Sequence, residues 1–174
     1  TRTDLLSVTE LDLSNCRLSD IAELSLFKNL KKLDLRNNQI SDISSLSELT
    51  QLECLYLDNN RIENISALRG LTKMKDLGLG NNSIADVSAV NGMTGLETLI
   101  LCRNQIRILP SFDILTELRT LDLYGTQNIK NLSMLNSLEN LRSLNLGNTG
   151  VTKISDLELR AFTELRLDDN PGVD

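Results

Sequence analysis

The chain has 174 residues, of which 24 are acidic and 18 are basic, so its net charge is −6. The acidic balance argues against a nucleic-acid partner, because nucleic-acid-binding proteins present a basic face to the phosphates. The apolar runs are too short to cross a bilayer, and the lack of histidine removes the commonest general base and many metal sites.

A pattern of leucines closed by asparagine recurs at a spacing of 22 residues. In residues 30–51 its apolar positions and asparagine are Leu30, Leu33, Leu35, Asn38, Ile40, Ile43, Leu46 and Leu49. Counting from position 1 at Leu30, seven full repeats occupy 8–29, 30–51, 52–73, 74–95, 96–117, 118–140 and 141–161, with a partial eighth over 162–174. Such a period predicts one solenoid domain over 1–174. Because neither end has a cap motif, we expect the chain to be a fragment of a longer protein.

Positions 3 to 7 of each repeat alternate between polar and apolar residues. In the second repeat Leu33 and Leu35 alternate with Lys32, Asp34 and Arg36. This period of two predicts a short strand with inward leucines, and stacked copies form a parallel sheet on the concave wall. Apolar residues at positions 11, 14, 17 and 20 predict 3₁₀ turns and loops on the convex side. The predicted fold class is α/β, as a curved, right-handed solenoid.

Two polar positions are predicted to be structural. Position 9 holds Cys16, Asn38, Asn60, Asn82, Asn104, Thr126, Thr149 and Asn170. Asparagine there can both donate and accept hydrogen bonds among buried backbone groups, and we expect Cys16 to be buried in the same ladder. Position 13 holds Asp20, Asp42, Asn64 and Asp86, with Asn131 as its equivalent in repeat 6. Side chains of this kind can cap the turn that follows.

These residues resemble the 22-residue class of leucine-rich repeats. That class is typified by the leucine-rich regulatory subunit of protein phosphatase 1 and by the bacterial internalins, to which segments 38–46 and 60–68 are particularly similar. The resemblance covers residues 8–173 and implies a curved solenoid that binds a protein through its concave strands. It implies no particular partner, because the shared residues are the buried ones.

The three cysteines fall at different repeat positions, which predicts free thiols. Strands lie about 4.8 Å apart, so Cys54 and Cys102 should be about 10 Å or more apart. A disulfide needs Cα atoms within roughly 7 Å. We therefore expect Cys54 and Cys102 to be accessible thiols on the concave face. Free thiols favour an intracellular, cytoplasmic location, with a secreted or surface-exposed protein as the alternative.

The outward positions 3, 5 and 7 of repeats 3 to 6 form the candidate binding surface. Glycine in a strand often marks the close approach of another backbone. Gly78 and Gly80, between Tyr56 and Ile100, therefore predict a shallow notch with apolar walls. The alternative is that repeat drift left isolated apolar residues exposed. The candidate contact residues are Cys54, Tyr56, Asp58, Gly78, Gly80, Ile100, Cys102, Asp122 and Tyr124.

The predicted function is protein–protein recognition, as an adaptor or regulatory subunit. Gly78-Leu79-Gly80 lies on a repeat strand and does not precede a helix, so it predicts no nucleotide site. No catalytic residue, cofactor or metal is predicted, and we expect a monomer that binds a protein, with no nucleic acid and no membrane insertion. The alternatives are a bacterial surface or effector protein that recognises a host protein, and an architectural segment of a larger chain.

Overall fold

A computed structural model of the protein describes residues 2–107, 109, 112–127, 129, 132–155, 157 and 162–173. Within these residues each repeat contributes one strand of three residues. The strands are β1 Glu10–Asp12, β2 Lys32–Asp34, β3 Cys54–Tyr56, β4 Asp76–Gly78, β5 Thr98–Ile100, β6 Thr120–Asp122, β7 Ser143–Asn145 and β8 Glu164–Arg166. One short α-helix, α1, covers Arg2–Leu5. No helix in the described ranges is long and apolar enough to cross a membrane.

The eight strands form one open, parallel sheet in chain order. Leu33 of β2 pairs with Leu11 of β1 and with Leu55 of β3, and this register continues to β8. Equal repeat lengths place equivalent residues opposite each other. The extra residue of repeat 6 lies in its return half, so Thr120 of β6 still pairs with Ser143 of β7. The parallel sheet and the repeat register predicted from the sequence are confirmed.

The return half of the first six repeats contains a 3₁₀ turn. These turns cover Ala22–Leu26, Ser44–Glu48, Ser66–Gly70, Ser88–Gly92, Phe112–Ile114 and Ser133–Leu135. Oδ1 of Asp20 accepts the Ala22 N–H at 2.9 Å. In the next three repeats the equivalent Oδ1 accepts the N–H two residues later at 2.8 Å, in Asp42, Asn64 and Asp86. The predicted capping role of position 13 is confirmed at these four repeats, whereas Asn131 lies outside the described residues.

The strand leucines and the apolar residues of the turns pack into one core that runs along the stack. Leu55 and Leu57 in the third repeat are 0% exposed. Leu11 of β1 and Leu165 of β8 are only partly buried. Both residues are on end strands of the sheet. Each has a neighbouring repeat on one side only, and a repeat needs a neighbour on both sides to bury its leucines completely.

Where position 9 is asparagine, its side chain joins the repeat to the preceding one. Nδ2 of Asn60 donates to the carbonyl of Leu57 in its own repeat and to that of Leu35 in the preceding repeat, both at 2.9 Å. Its Oδ1 accepts the N–H of Ile40 at 3.0 Å. Asn38, Asn82 and Asn104 make the equivalent bonds. The structural role predicted for this position is confirmed.

The prediction that Cys16 is buried in this ladder is wrong, because its side chain is exposed. Oδ1 of Asn38 accepts the Cys16 N–H at 3.1 Å, so the next repeat satisfies the backbone of repeat 1. In the described chain, however, no ladder asparagine precedes Cys16 to cover its other side. A repeat position therefore fixes burial only where a repeat lies on both sides.

Position 8 carries a backbone constraint that was not predicted from the sequence. Its residues have φ between 50° and 71°, the left-handed region, and they are Asn15, Asn37, Asn59, Asn81, Arg103, Gly125, Asn148 and Asp169. Asparagine, aspartate and glycine enter this region most readily, so the recurring asparagine at position 8 was the available signal. Arg103, with φ 53°, is the exception within this column.

Candidate partner-binding surface on the sheet

We call the outward side chains at positions 3, 5 and 7 of the eight repeats the outer sheet face. The candidate residues lie on it in neighbouring strands, because Tyr56 pairs with Gly78, Gly78 with Ile100, and Ile100 with Asp122. Cys54 is on β3 with Tyr56, and the position-7 residues that follow the four strands are Asp58, Gly80, Cys102 and Tyr124. The register thus brings the nine residues onto four adjacent strands, as the sequence predicts.

The expectation that Gly78 and Gly80 leave an open notch is wrong. Both glycines are buried. A Cβ added at Gly78 would collide with the carboxylate of Asp58. At Gly80 it would lie 2.7 Å from Sγ of Cys102 and 2.9 Å from Oδ1 of Asp58. The glycines therefore make room for side chains of neighbouring repeats, and the free surface at this point consists of those side chains.

Asp58 occupies this space because it replaces a missing local hydrogen bond. In repeats 1, 2, 6 and 7 an Asp or Asn at position 5 accepts the N–H of position 7, as Asp122 does for Tyr124 at 2.9 Å. Repeat 4 has Gly78 at position 5 and lacks this acceptor. Oδ1 of Asp58, from the preceding repeat, accepts the Gly80 N–H at 2.8 Å instead. Asp58 is therefore held in place by the fold itself.

Burial raises the pKa of Asp58 above its ordinary value, because it removes water from the carboxylate. A raised pKa in the folded state means that ionised Asp58 opposes folding, and that this penalty is relieved as the pH falls through the raised pKa. We expect Asp58→Asn to be more stable than the wild type at pH 7, with a difference that shrinks toward pH 4. Asp58→Ala removes the acceptor of a buried N–H and should lose about 1–2 kcal/mol. Chemical denaturation across this pH range measures both effects.

Asp42 provides the matched control for this pH dependence. Its hydrogen bond with the Ser44 N–H lowers its pKa below the ordinary value. A lowered pKa contributes stability that is present at neutral pH and is lost as the pH falls through it. Asp42→Asn should therefore be less stable than the wild type at pH 7, and the difference should narrow in acid. If Asp58→Asn and Asp42→Asn were both less stable than the wild type at pH 7, or both more stable, the account of Asp58 would be contradicted.

Tyr56 is half-buried on the outer sheet face and lies under a guanidinium group. The Arg36 Cζ is 5.2 Å from the centre of the Tyr56 ring. Arg36 is held from the other side by Asp34, to which its Nε donates at 2.9 Å. Asp34 is thereby covered and only 5% exposed, although its position in the repeat predicts an outward charge. These contacts cover one face of the Tyr56 ring and leave an anchor of defined orientation.

Tyr124 forms a separate contact group toward β7 and β8. Cδ2 of its ring lies 2.8 Å from the place of a Cβ on Gly147, so this glycine accommodates the ring. Its hydroxyl is 3.3 Å from Oδ2 of Asp169, and the Arg103 guanidinium lies 5.5 Å from the ring centre. Tyr124 is therefore about three strand spacings away from Tyr56, or about 14 Å across the strands, and one strand spacing away from Ile100.

The three cysteines are free, as predicted, but their environments reverse the expected order of reactivity. Burial and the hydrogen bond to Asp76 raise the pKa of Cys54. Burial, with Asp122 and Asp58 nearby, raises the pKa of Cys102 to about 11. Because the thiolate is the reactive form, we expect Cys16 to react first, Cys54 more slowly and Cys102 last at neutral pH. Alkylation of the native protein followed by mass spectrometry measures this order, and fastest labelling of Cys102 would contradict it.

A depression at the β1 end of the outer sheet face was not anticipated. It has a volume of about 530 Å³ and is lined by Glu10, Leu11, Asp12, Lys32, Asp34, Arg36 and Tyr56. Its polar walls come from the charged residues at positions 3, 5 and 7 of the first two repeats, and this concentration of charge was the signal in the sequence. Among the described residues, no cluster of Cys, Asp and Glu could hold a metal ion.

Comparisons with known proteins agree with this architecture. The family model for leucine-rich repeats in two copies matches residues 7–48 and 50–92. No curated protein matches the sequence. The internalin InlF of Listeria monocytogenes is 26% identical with a TM-score of 0.67, over 98% of this chain and 63% of its own length. Internalin C2 of the same organism is 26% identical with a TM-score of 0.79, over 96% and 84%.

A leucine-rich repeat protein of Leptospira interrogans is 27% identical, with a TM-score of 0.88, over 97% of this chain and 45% of its own length. This chain thus spans less than two thirds of the Leptospira protein and of InlF. The sequence match, the likeness of the backbones and the register of the sheet agree: the chain has the fold of a leucine-rich repeat solenoid and is similar to the internalins and to the Leptospira protein.

Proposed function

We propose that the chain is a protein-recognition module that binds its partner through the outer sheet face, in an adaptor or regulatory role. The observation that carries this proposal is that Tyr56 and Ile100 are the two register partners of Gly78, on a face where their side chains remain partly exposed. An architectural segment has no need of outward apolar residues at the centre of its sheet. Tyrosine beside an aliphatic residue is typical of interface anchors.

The second candidate is a bacterial surface or effector protein that recognises a host protein. The internalin-like type of the repeats favours it. Both roles use the same face, so they differ in the identity of the partner and in the compartment. The cytoplasmic location expected from the free thiols stays a prediction, as does the monomeric state.

Site-specific photo-cross-linking tests the proposal. A photoreactive amino acid replaces Thr98, which is on β5 beside the Tyr56–Ile100 pair, or Ser47, which is exposed on the 3₁₀ turn Ser44–Glu48. In extract of the source cells, we expect a discrete cross-linked partner from position 98 that unmodified protein competes away, and none from position 47. Competed cross-links from position 47 alone would show that the partner binds the turn side.

A further inference from the structure

The outer sheet face carries most of the net negative charge of the chain. Its three columns hold eight carboxylates and three cations, a net charge of −5 against −6 for the whole sequence. The carboxylates are those of Glu10, Asp12, Asp34, Asp58, Asp76, Asp122, Glu164 and Asp168, and the cations are Lys32, Arg36 and Arg166. The charge of the protein is therefore concentrated on the face to which we assign recognition.

Most of these carboxylates form no ion pair among the described residues. In the part of the chain that the structure describes, only Asp34 and Glu164 of the eight form ion pairs, with Arg36 and Arg166. The neighbouring column at position 2 is arranged differently. There Glu53 lies 3.7 Å from Lys31 and 2.7 Å from Lys75, and Glu97 lies 3.5 Å from Arg119. The charges at position 2 are thus joined in ion pairs, whereas most carboxylates of the outer sheet face are not.

Two of the unbalanced carboxylates flank the apolar pair. Asp122 is the register partner of Ile100 on the next strand. Asp76 is on β4, two residues before Gly78, and accepts a hydrogen bond from the Cys54 thiol at 3.4 Å. A protein that covers Tyr56 and Ile100 must also cover Asp58, whose carboxylate fills the space over Gly78 between them, and Asp76 and Asp122 beside them. Covering an ionised carboxylate without a partner is costly, and an acidic surface would add repulsion.

We propose that the partner of the outer sheet face is a basic protein segment, which places an apolar side chain against Tyr56 and Ile100 and a lysine or arginine beside each of Asp76 and Asp122. This inference rests on the proposed function and specifies its partner. The two carboxylate positions are two strands and two residues apart, which strand geometry converts to roughly 12 Å. An extended chain covers that distance in about three to four residues, which sets the spacing of the two cations.

Selection from a phage-displayed library of random 12-residue peptides on the whole chain tests this inference. We expect the enriched peptides to carry a net positive charge, with two basic residues about three to four positions apart around an aromatic or aliphatic residue. Enrichment of neutral or acidic peptides, or of none, would overturn it.

Two pairs of charge variants locate the effect. Asp76→Asn with Asp122→Asn removes two charges beside the apolar pair, and Glu23→Gln with Glu63→Gln removes two exposed charges from the return halves. For the selected peptides at about 0.1 M salt, the first pair should weaken binding about tenfold or more and the second pair should have little effect, since exposed charges beyond a Debye length of about 10 Å are screened. If the two pairs weakened binding equally, the peptides would be attracted only by the net charge of the protein, and the inference would be overturned.

Peptide binding to Ile100→Arg shows whether this inference fails alone or the proposed function fails with it. If Ile100→Arg abolishes peptide binding but the peptides are not basic, the sheet face is confirmed as the site and only the inferred chemistry fails. If the peptides bind Ile100→Arg and wild type equally, they bind outside the face and the proposed function fails with it.

Discussion

Asn104→Ala is expected to lower the free energy of unfolding by about 3–5 kcal/mol, because each buried polar group left without a partner costs about 1–3 kcal/mol. Oδ1 of Asn104 accepts the Ile84 N–H at 3.0 Å. Its Nδ2 donates to the carbonyls of Leu79 and Leu101 at 2.9 and 3.0 Å. The side chain is only 7% exposed, so the Ile84 N–H and the Leu101 carbonyl lose their partner at once, whereas the Leu79 carbonyl still accepts a hydrogen bond from Nδ2 of Asn82 at 3.0 Å.

Thr126, at the same repeat position, provides the matched control. Its Oγ1 is buried and has no hydrogen-bond partner among the described residues. Thr126→Val removes this hydroxyl with little change of shape and should leave stability unchanged or raise it by up to about 1 kcal/mol. Urea denaturation followed by circular dichroism measures both variants. An Asn104→Ala variant within about 1 kcal/mol of the wild type would contradict the ladder account, since it predicts loss of several such bonds.

The repeat register explains why so much of the fold is predictable from this sequence. A leucine at position 4 can be buried only if its copies lie opposite it in neighbouring strands, as Leu33, Leu55 and Leu77 do. The hydrogen-bonding needs of Asn60 and Asp42 likewise belong to their own position in the repeat. Such features depend on what every repeat shares, and a single period in the sequence reveals them.

The candidate surface is less predictable because it depends on differences between neighbouring repeats. The space above Gly78 is filled because Asp58 lies 22 residues before Gly80 and is the residue able to replace its missing acceptor. Arg36 covers Asp34 in one repeat and stacks on Tyr56 in the next. Side chains that cross between repeats are invisible when each column is considered alone.

Tyr56→Ala is expected to weaken partner binding roughly 10- to 100-fold, or about 1–3 kcal/mol, as truncation of an interface anchor does. The ring is positioned by Arg36 and lies beside the depression formed by the first three repeats. Folding should change little, because the side chain is partly exposed and belongs to the outer sheet face. Calorimetric titration with the cross-linked partner, together with thermal denaturation, separates the two effects.

Tyr56→Phe is the control for this substitution. It keeps the ring and its stacking with Arg36 and removes only the hydroxyl, so its affinity should remain within a few-fold of the wild type. An equal loss for Tyr56→Phe and Tyr56→Ala would mean that the hydroxyl carries the interaction. No loss for Tyr56→Ala would support the alternative that repeat drift left this tyrosine exposed.

The comparison of Ile100→Arg with Ile114→Arg tests most directly whether the sheet is the recognition surface. Ile100 is partly exposed on β5, whereas Ile114 is 38% exposed on the 3₁₀ turn Phe112–Ile114. The chemical change is identical, and only the side of the solenoid differs. We expect Ile100→Arg to abolish partner binding and Ile114→Arg to bind as tightly as the wild type. Normal binding by Ile100→Arg together with its loss in Ile114→Arg would place recognition on the turn side and contradict the account.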